Sequence, residues 1–401
     1  MGACAKKAAL RAAPMMSMMM RRLLLLAAGC SCAVSAPLAM TITVDPKNVS
    51  DHVSGHMYGS GIETYSHCMY GGFWSNLLYD DSVEDAAQGP LTAVATRSSW
   101  FSAGGSCSVQ SGGMNGVQSL VLEGKGSTAI NRGLVVAQNG YHDSNETAIH
   151  FVGGKPYEGY LFLHSKSKAT VKLSLVCTSL GSIGNSSVWE TLGSAELTTT
   201  GGNHSSGSGV PRLSKGWTMH NFTITPTSDC LHAGSGTSAG QGLISVALMT
   251  GTDVAVDKVM VEPGTWGRYE GMHIRKDLAE TFLEQGVTMM RLGGSMTNQD
   301  GFRFKYMTGP AWSRPPTDSG WIKHTSWGFG IFEFLQFNEK AGLQPYLCVN
   351  FDEDMGGLLE YLYGGASTQW GAQRIADGHS ATYLFRLLHR LSWFRFNLLL
   401  R

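Results

Sequence analysis

The chain has 401 residues, 30 basic and 30 acidic side chains, and only 15% charged residues. That length admits two domains or one large one with an insertion, and a zero net charge excludes capture of nucleic acid by a basic surface. The 51 glycines and 10% aromatics fit a strand- and loop-rich protein that handles sugars.

The first element is a leader. Lys6, Lys7, Arg11, Arg21 and Arg22 precede an apolar run from Leu23 to Ala28, and small residues follow around Ala36 and Ala39. This order predicts a secretory signal peptide over residues 1–39. The apolar core is too short to span a bilayer. An uncleaved anchor or a transit peptide is the alternative. Five N-x-[ST] sites, at Asn48, Asn145, Asn185, Asn203 and Asn221, agree with a secreted glycoprotein. Outside the leader Cys68, Cys107, Cys177, Cys230 and Cys348 are widely spaced, with no C-x-x-C. One or two disulfides are open, and their pairing is not readable.

Residues 40–84 hold a short strand at Thr41–Val44 and a strand-like run from Tyr58 to Glu63, ending on a carboxylate. His52 and His56 lie four apart, but the residues between them are not helical, so no metal motif results. Residues 85–263 change character. Strands are expected at Gln118–Leu122, Thr147–Val152, Tyr160–His164, Thr170–Val176, Asn221–Ile224, Leu243–Met249 and Val254–Val261. Loops rich in Gly, Ser and Asn separate them. Many short strands with turn signals predict a β-sandwich. Trp189 and Trp217 either stack on sugar faces or fill the sandwich core.

Residues 264–380 return to an α/β pattern. Ile274, Leu278 and Phe282 recur every fourth position, predicting a helix. A buried strand follows at Val287–Arg291 and stops at Gly293-Gly294, a turn. A second helix carries Ile331, Phe334 and Leu335 on one face and stops at Gly342. A further strand, Tyr346–Val349, ends on Asn350. In such folds the chemistry gathers in loops after the strands, here at Arg291, Ser295, Asn298 and Asp300. Of the carboxylates at Asp352-Glu353-Asp354, Asp354 is expected to cap a helix starting near Met355.

The same stretch carries, in order, Gly309-Pro310, Arg314-Pro315, Trp321, Gly330, Glu333-Phe334-Leu335, Val349-Asn350, Glu360-Tyr361, Arg374 and Gly378-His379. This succession resembles the N-terminal part of the α-L-arabinofuranosidases of glycoside hydrolase family 51. The segments Tyr157-Glu158-Gly159-Tyr160 and Asp257–Pro263 look like the carbohydrate-binding jelly rolls inserted in some of its members. The resemblance implies a partial (β/α)8 TIM barrel of about three strands, interrupted by a galactose-binding-like jelly-roll sandwich. It implies hydrolysis of terminal α-L-arabinofuranosyl groups from polysaccharides or glycans, without a metal or other cofactor. It implies that Glu63, Arg291, Asn350 and, less directly, Ser295 line the sugar pocket. Arg291 would alternatively hold neighbouring carboxylates in place.

The resembled enzymes take their acid/base from a Gly-Asn-Glu ending barrel strand four and their nucleophile from near the end of strand seven. Neither has a counterpart here. Asn338-Glu339 falls inside the second helix, and Asn145-Glu146 is a sequon. Past His379 the sequence turns into SATYLFRLLHRLSWFRFNLLLR, without Asp, Glu or Gly. Residues 381–401 are therefore expected to be an aberrant or truncated tail. Its Leu384, Leu387, Leu388 and Leu391 would form one face of a basic amphipathic helix, and Arg386, Arg390 and Arg395 keep it from spanning a membrane. The second functional expectation is a secreted protein that binds carbohydrate through its sandwich alone.

Overall fold

The run expected at Tyr58–Glu63 forms strand β1, Gly59–Ile62. The computed structural model describes residues 45, 47, 54–64, 68–92, 99–133, 149–179, 182–201, 216–231, 240–318 and 326–384. The leader, the strand at 41–44, His52, the sequons at Asn48, Asn145 and Asn203, Trp321 and the tail beyond Leu384 lie outside the described residues. The chain divides into Met1–Val53 and Ser54–Arg401. In the first unit, the Lys47 amide donates to Asp45 Oδ1 at 2.9 Å. All that follows concerns the second.

After β1 the chain enters an antiparallel sheet of nine strands. They are β2 (Gly89–Pro90), β3 (Trp100–Ser111), β4 (Gln118–Asn131), β5 (Tyr157–His164), β6 (Ala169–Ser179), β7 (Glu190–Thr199), β8 (Thr218–Ile224), β9 (Gly240–Thr250) and β10 (Asp253–Pro263). Strand β4 belongs to both halves. Its Leu120–Glu123 pair with β10, and its Thr128–Asn131 pair with β9. Between them Gly124 and Gly126 have φ of +79° and +89°, a conformation glycine adopts without steric cost. β3 shows register shifts at the same level, around Gly104. The sheet is therefore creased along β3 and β4 and folds onto itself as a jelly-roll sandwich. Leu161, Leu163, Val254 and Val256 from one half meet Val171, Leu173, Ile244 and Val246 from the other in one core.

The expected strands appear, longer than the apolar runs that marked them, except Thr147–Val152. Its described part makes an isolated bridge, Phe151 to Cys230. Strands β3 and β7 were invisible to alternation. β3 is mostly Gly and Ser across the crease, and β7 buries only its Leu192, Leu197 and Thr199. Cys177 and Cys230 form a disulfide, while Cys68, Cys107 and Cys348 are free. Trp217 is buried against Met114 and Phe162, so it fills core space.

The chain leaves and re-enters the α/β part along one seam. The Leu77 amide donates to the Val261 carbonyl at 2.8 Å, and the Val261 amide donates to Asn76 Oδ1 at 3.0 Å. Helix α1 (Lys276–Glu284) then leads into β11 (Met289–Leu292), and α2 (Ile331–Ala341) leads into β12 (Gln344–Leu347). The order is β1-β11-β12, all parallel. Helix α2 ends as the sequence predicts: Gly342 takes φ +67° and its amide reaches the Asn338 and Glu339 carbonyls. Ile331, Phe334, Leu335 and Phe337 pack it against Met290 and Leu292 of the central strand. Helices α3 (Met355–Tyr363) and α4 (Gln369–Ala376) close the described part. Asp354 caps α3, accepting from the Gly357 amide at 2.9 Å. These three parallel strands and their helices are a segment of a (β/α)8 barrel.

Candidate functional site

The parallel register fixes the site. Gly61 pairs with Arg291, and Ile62 pairs with Leu292. Glu63 and Gly293 therefore emerge side by side at the C-terminal ends of their strands. Arg291 lies across β1 where Gly61 has no side chain; a Cβ there would sit 3.0 Å from Arg291 Nη2. Arg291 Nη2 donates to Glu63 Oε1 at 3.1 Å. Ser295, opening a short turn over Ser295–Asn298, donates from Oγ to Glu63 Oε2 at 3.1 Å. Each carboxylate oxygen thus accepts one hydrogen bond. The Glu63 side chain is 19% exposed and that of Arg291 42%. The carboxylate rests against Gly294, where a Cβ would fall 1.8 Å from Oε1.

Glu63, Arg291 and Ser295 converge. Asn350 lies in the loop after β12, three residues past the strand end. It is buried, donates from Nδ2 to the Gln299 carbonyl at 2.8 Å and accepts from the Asp352 amide at 3.0 Å. It ties the loop after β12 to the loop after β11, and its hydrogen bonds do not include the other three. Glu353 accepts from the Phe304 amide at 3.0 Å and the Asp354 amide at 3.1 Å. Asp300 faces Arg303 at 3.6 Å.

Two thiols that sequence reasoning passed over flank the ion pair. Burial pushes the Cys68 thiol up, partly offset by the Glu63 amide. Burial also raises Cys348, with Arg291 pulling down and Glu63 pushing up. Both stay protonated near neutrality. Their wide, irregular spacing gave no hint of this placement.

The remaining motif residues build the scaffold under the site. Arg314 is 1% exposed and forms a two-pronged pair with Glu333, both contacts at 2.8 Å. Burial would depress the guanidinium, but the charge and hydrogen bonds of Glu333 more than reverse this, so its pKa ends raised. Arg314 also donates to the Gly309 and Trp327 carbonyls. Glu333 in turn accepts from the Gly330 amide at 2.8 Å, capping α2. Arg374 donates to the carbonyls of Tyr361, Gly364 and His379. Buried arginines on backbone carbonyls fix long loops that have no ladder of their own.

Chemically, the site presents a carboxylate whose free lone pairs can accept from adjacent hydroxyls. Among the described residues it offers one such group. Retaining glycoside hydrolysis uses two, about 5 Å apart.

The family model for the alpha-L-arabinofuranosidase 1 domain matches residues 282–389. The extracellular exo-alpha-L-arabinofuranosidase of Streptomyces chartreusis is 23% identical over 390 residues, covering 87% of this chain and 41% of that protein. The intracellular exo-alpha-(1->5)-L-arabinofuranosidase of Bifidobacterium longum is 32% identical over 127 residues, 28% of this chain and 22% of the relative. Among solved structures, the arabinose-bound MgGH51 α-L-arabinofuranosidase superposes with a TM-score of 0.61 at 20% identity. That match covers 84% of this chain and 53% of the other, and it shows the shared fold. The chain spans about half the length of these relatives or less. In sequence and in fold, this chain resembles the α-L-arabinofuranosidases of glycoside hydrolase family 51.

Proposed function

We propose that the chain carries the sugar-gripping part of an α-L-arabinofuranosidase-like glycoside hydrolase. Its substrate class is the terminal, non-reducing α-L-arabinofuranosyl group of a polysaccharide or glycan. The observation that supports this is the Glu63 carboxylate, clamped by Arg291 and Ser295 at the strand ends. Arg291 and Ser295 hold one oxygen each, so the lone pairs left on both accept from vicinal sugar hydroxyls. Hydrogen bonds to an ionised acceptor are about twice as strong as neutral ones. Asn350 acts one step back, fixing the loops that frame the pocket.

With a single carboxylate at the site among the described residues, the chain is expected to bind without cutting. Calorimetry of the full chain with p-nitrophenyl α-L-arabinofuranoside tests this. We expect binding that weakens at least tenfold in Glu63→Gln, and no release of nitrophenol. Absence of binding refutes the grip. Nitrophenol release that disappears in Glu63→Gln refutes the restriction to binding.

We also place the protein on the secretory route. The leader over residues 1–39 and the exposed sequon residues Asn185 and Asn221 support this. So does the extracellular Streptomyces relative, and among the described residues no helix is long and apolar enough to cross a membrane. A mass loss on enzymatic removal of N-glycans from the native protein would bear it out; an unchanged mass counts against it.

A further inference from the structure

The sandwich meets the barrel segment at a second place besides the seam. The loop between β3 and β4, residues 112–117, is stiffened by two buried carboxylates. Asp257 Oδ2 accepts from the Met114 amide at 2.6 Å, and Glu84 Oε1 accepts from the Val117 amide at 2.7 Å and the Gln118 amide at 3.2 Å. From this loop Asn115 donates Nδ2 to the carbonyls of Trp312 and Arg314, both at 3.0 Å. Lys258, buried and left-handed at φ +48°, donates to the same Arg314 carbonyl at 3.3 Å. Gly116 has no side chain where Pro316 passes; a Cβ there would lie 3.1 Å from Pro316 Cγ. Trp312 packs on Phe162 of β5 with ring centres 5.5 Å apart. The sandwich therefore grips residues 312–316.

That stretch is the far end of the loop that leaves β11 and carries Ser295. The two ends of the loop meet. Thr317 donates from Oγ1 to the Gly301 carbonyl at 3.3 Å and accepts from the Trp327 indole. Phe302, next to Gly301, stands edge-on to Trp327 at 5.7 Å. It also packs against the glycine turn, where a Cβ on Gly293 would lie 3.3 Å from Phe302 Cζ. A continuous run of contacts thus joins Asn115 to the turn that presents Ser295 to Glu63. We propose that Asn115 is a positioning residue for the sugar site: by holding the far end of this loop, the inserted sandwich sets where Ser295 stands against Glu63. The inference rests on the reading of the Glu63 clamp as the sugar site. Loosening the sandwich contact then weakens the clamp without touching it, and by reciprocity sugar at the clamp tightens the sandwich contact.

The test is Asn115→Ala in the full chain, which removes both donated hydrogen bonds at a half-buried position. The first measurement is hydrogen exchange without ligand. The Thr297, Gln299 and Phe302 amides donate to the Gly294, Met296 and Gln299 carbonyls and report the turn. They should exchange faster in Asn115→Ala, while the amides of α1 keep their wild-type rates. The second is calorimetry with p-nitrophenyl α-L-arabinofuranoside. Affinity should fall about threefold or more, and this loss should vanish in a Ser295→Ala background. Exchange that rises only within 112–117 and 309–316 overturns the proposal. So does an unchanged affinity, or a loss that persists in full without Ser295. If the wild type does not bind the glycoside, the grip of Glu63 on sugar fails, and exchange at residues 295–302 alone decides whether Asn115 sets the turn.

Discussion

Gly294→Ala tests whether the clamp on Glu63 is a binding device or only a fold contact. The new methyl would lie 1.8 Å from Glu63 Oε1 and 2.3 Å from its Cδ. To make room for the methyl the carboxylate must swing away. It then loses Arg291 and Ser295. The Arg291 side chain is 42% exposed, and exposed ion pairs contribute about 0–1 kcal/mol. Replacing glycine also narrows the unfolded ensemble, returning about 0.4–1 kcal/mol. Net stability should therefore change by less than about 1 kcal/mol, or roughly 2–4 °C in melting temperature. Binding should suffer more. A hydrogen bond from a sugar hydroxyl to a charged acceptor contributes about 1.5–3 kcal/mol, which is about 10- to 100-fold in affinity. Calorimetry with the nitrophenyl arabinofuranoside and a thermal melt of the same sample give both numbers. Unchanged affinity with a fall of more than about 5 °C would show that Glu63 holds the loops and does not touch sugar.

Two further predictions concern the scaffold. Arg314→Met leaves the Glu333 carboxylate buried without its partner, and should cost about 3–5 kcal/mol in urea unfolding, part of it recovered in the double variant Arg314→Met/Glu333→Leu; a loss below about 1 kcal/mol would contradict this. At the seam, His273 Nδ1 lies 2.8 Å from Glu262 Oε1, and although burial lowers the imidazole pKa, the hydrogen bond and charge of Glu262 outweigh it and leave it raised. A raised folded value stabilises below the unfolded histidine pKa of about 6.5, and the gain is lost as pH rises through the folded value. The melting temperature of the wild type should exceed that of His273→Gln near pH ~5.5, and the gap should shrink by pH ~9; a gap that widens with pH reverses the sign.

The barrel segment was legible because its strands end on punctuation. Gly293-Gly294 and Gly342 set turn and helix stop, and the motif run from Gly309 to His379 set their order. Arg291 and Ser295 could be singled out because they sit where an apolar run breaks into a glycine turn, whereas Glu63 was named through the family resemblance. The sequence did not show that a missing side chain at Gly61 and Gly294 lets them touch. That needs the register between strands far apart in the chain. Asn350 could be placed at a strand end, but its hydrogen bonds to the Gln299 carbonyl and the Asp352 amide, which join two loops, were not legible. Strands β3 and β7 escaped because alternation reports one-sided burial. A creased strand and an edge strand do not have it. The Cys177–Cys230 bridge was equally hidden, since spacing alone does not pair cysteines.

The seam at Leu77 and Val261 bears on how this chain reaches its native state. Glu63 and Arg291 are 228 positions apart, and closing a flexible loop of that size costs about 5 kcal/mol in chain entropy. Few contacts between β1 and β11 offset that cost early in folding. Once the sandwich has formed, its two ends are stitched together at 2.8 Å, and the same pairing becomes a local event. The inserted domain thus acts as an internal splint: its joined ends bring distant parallel strands within reach of one another.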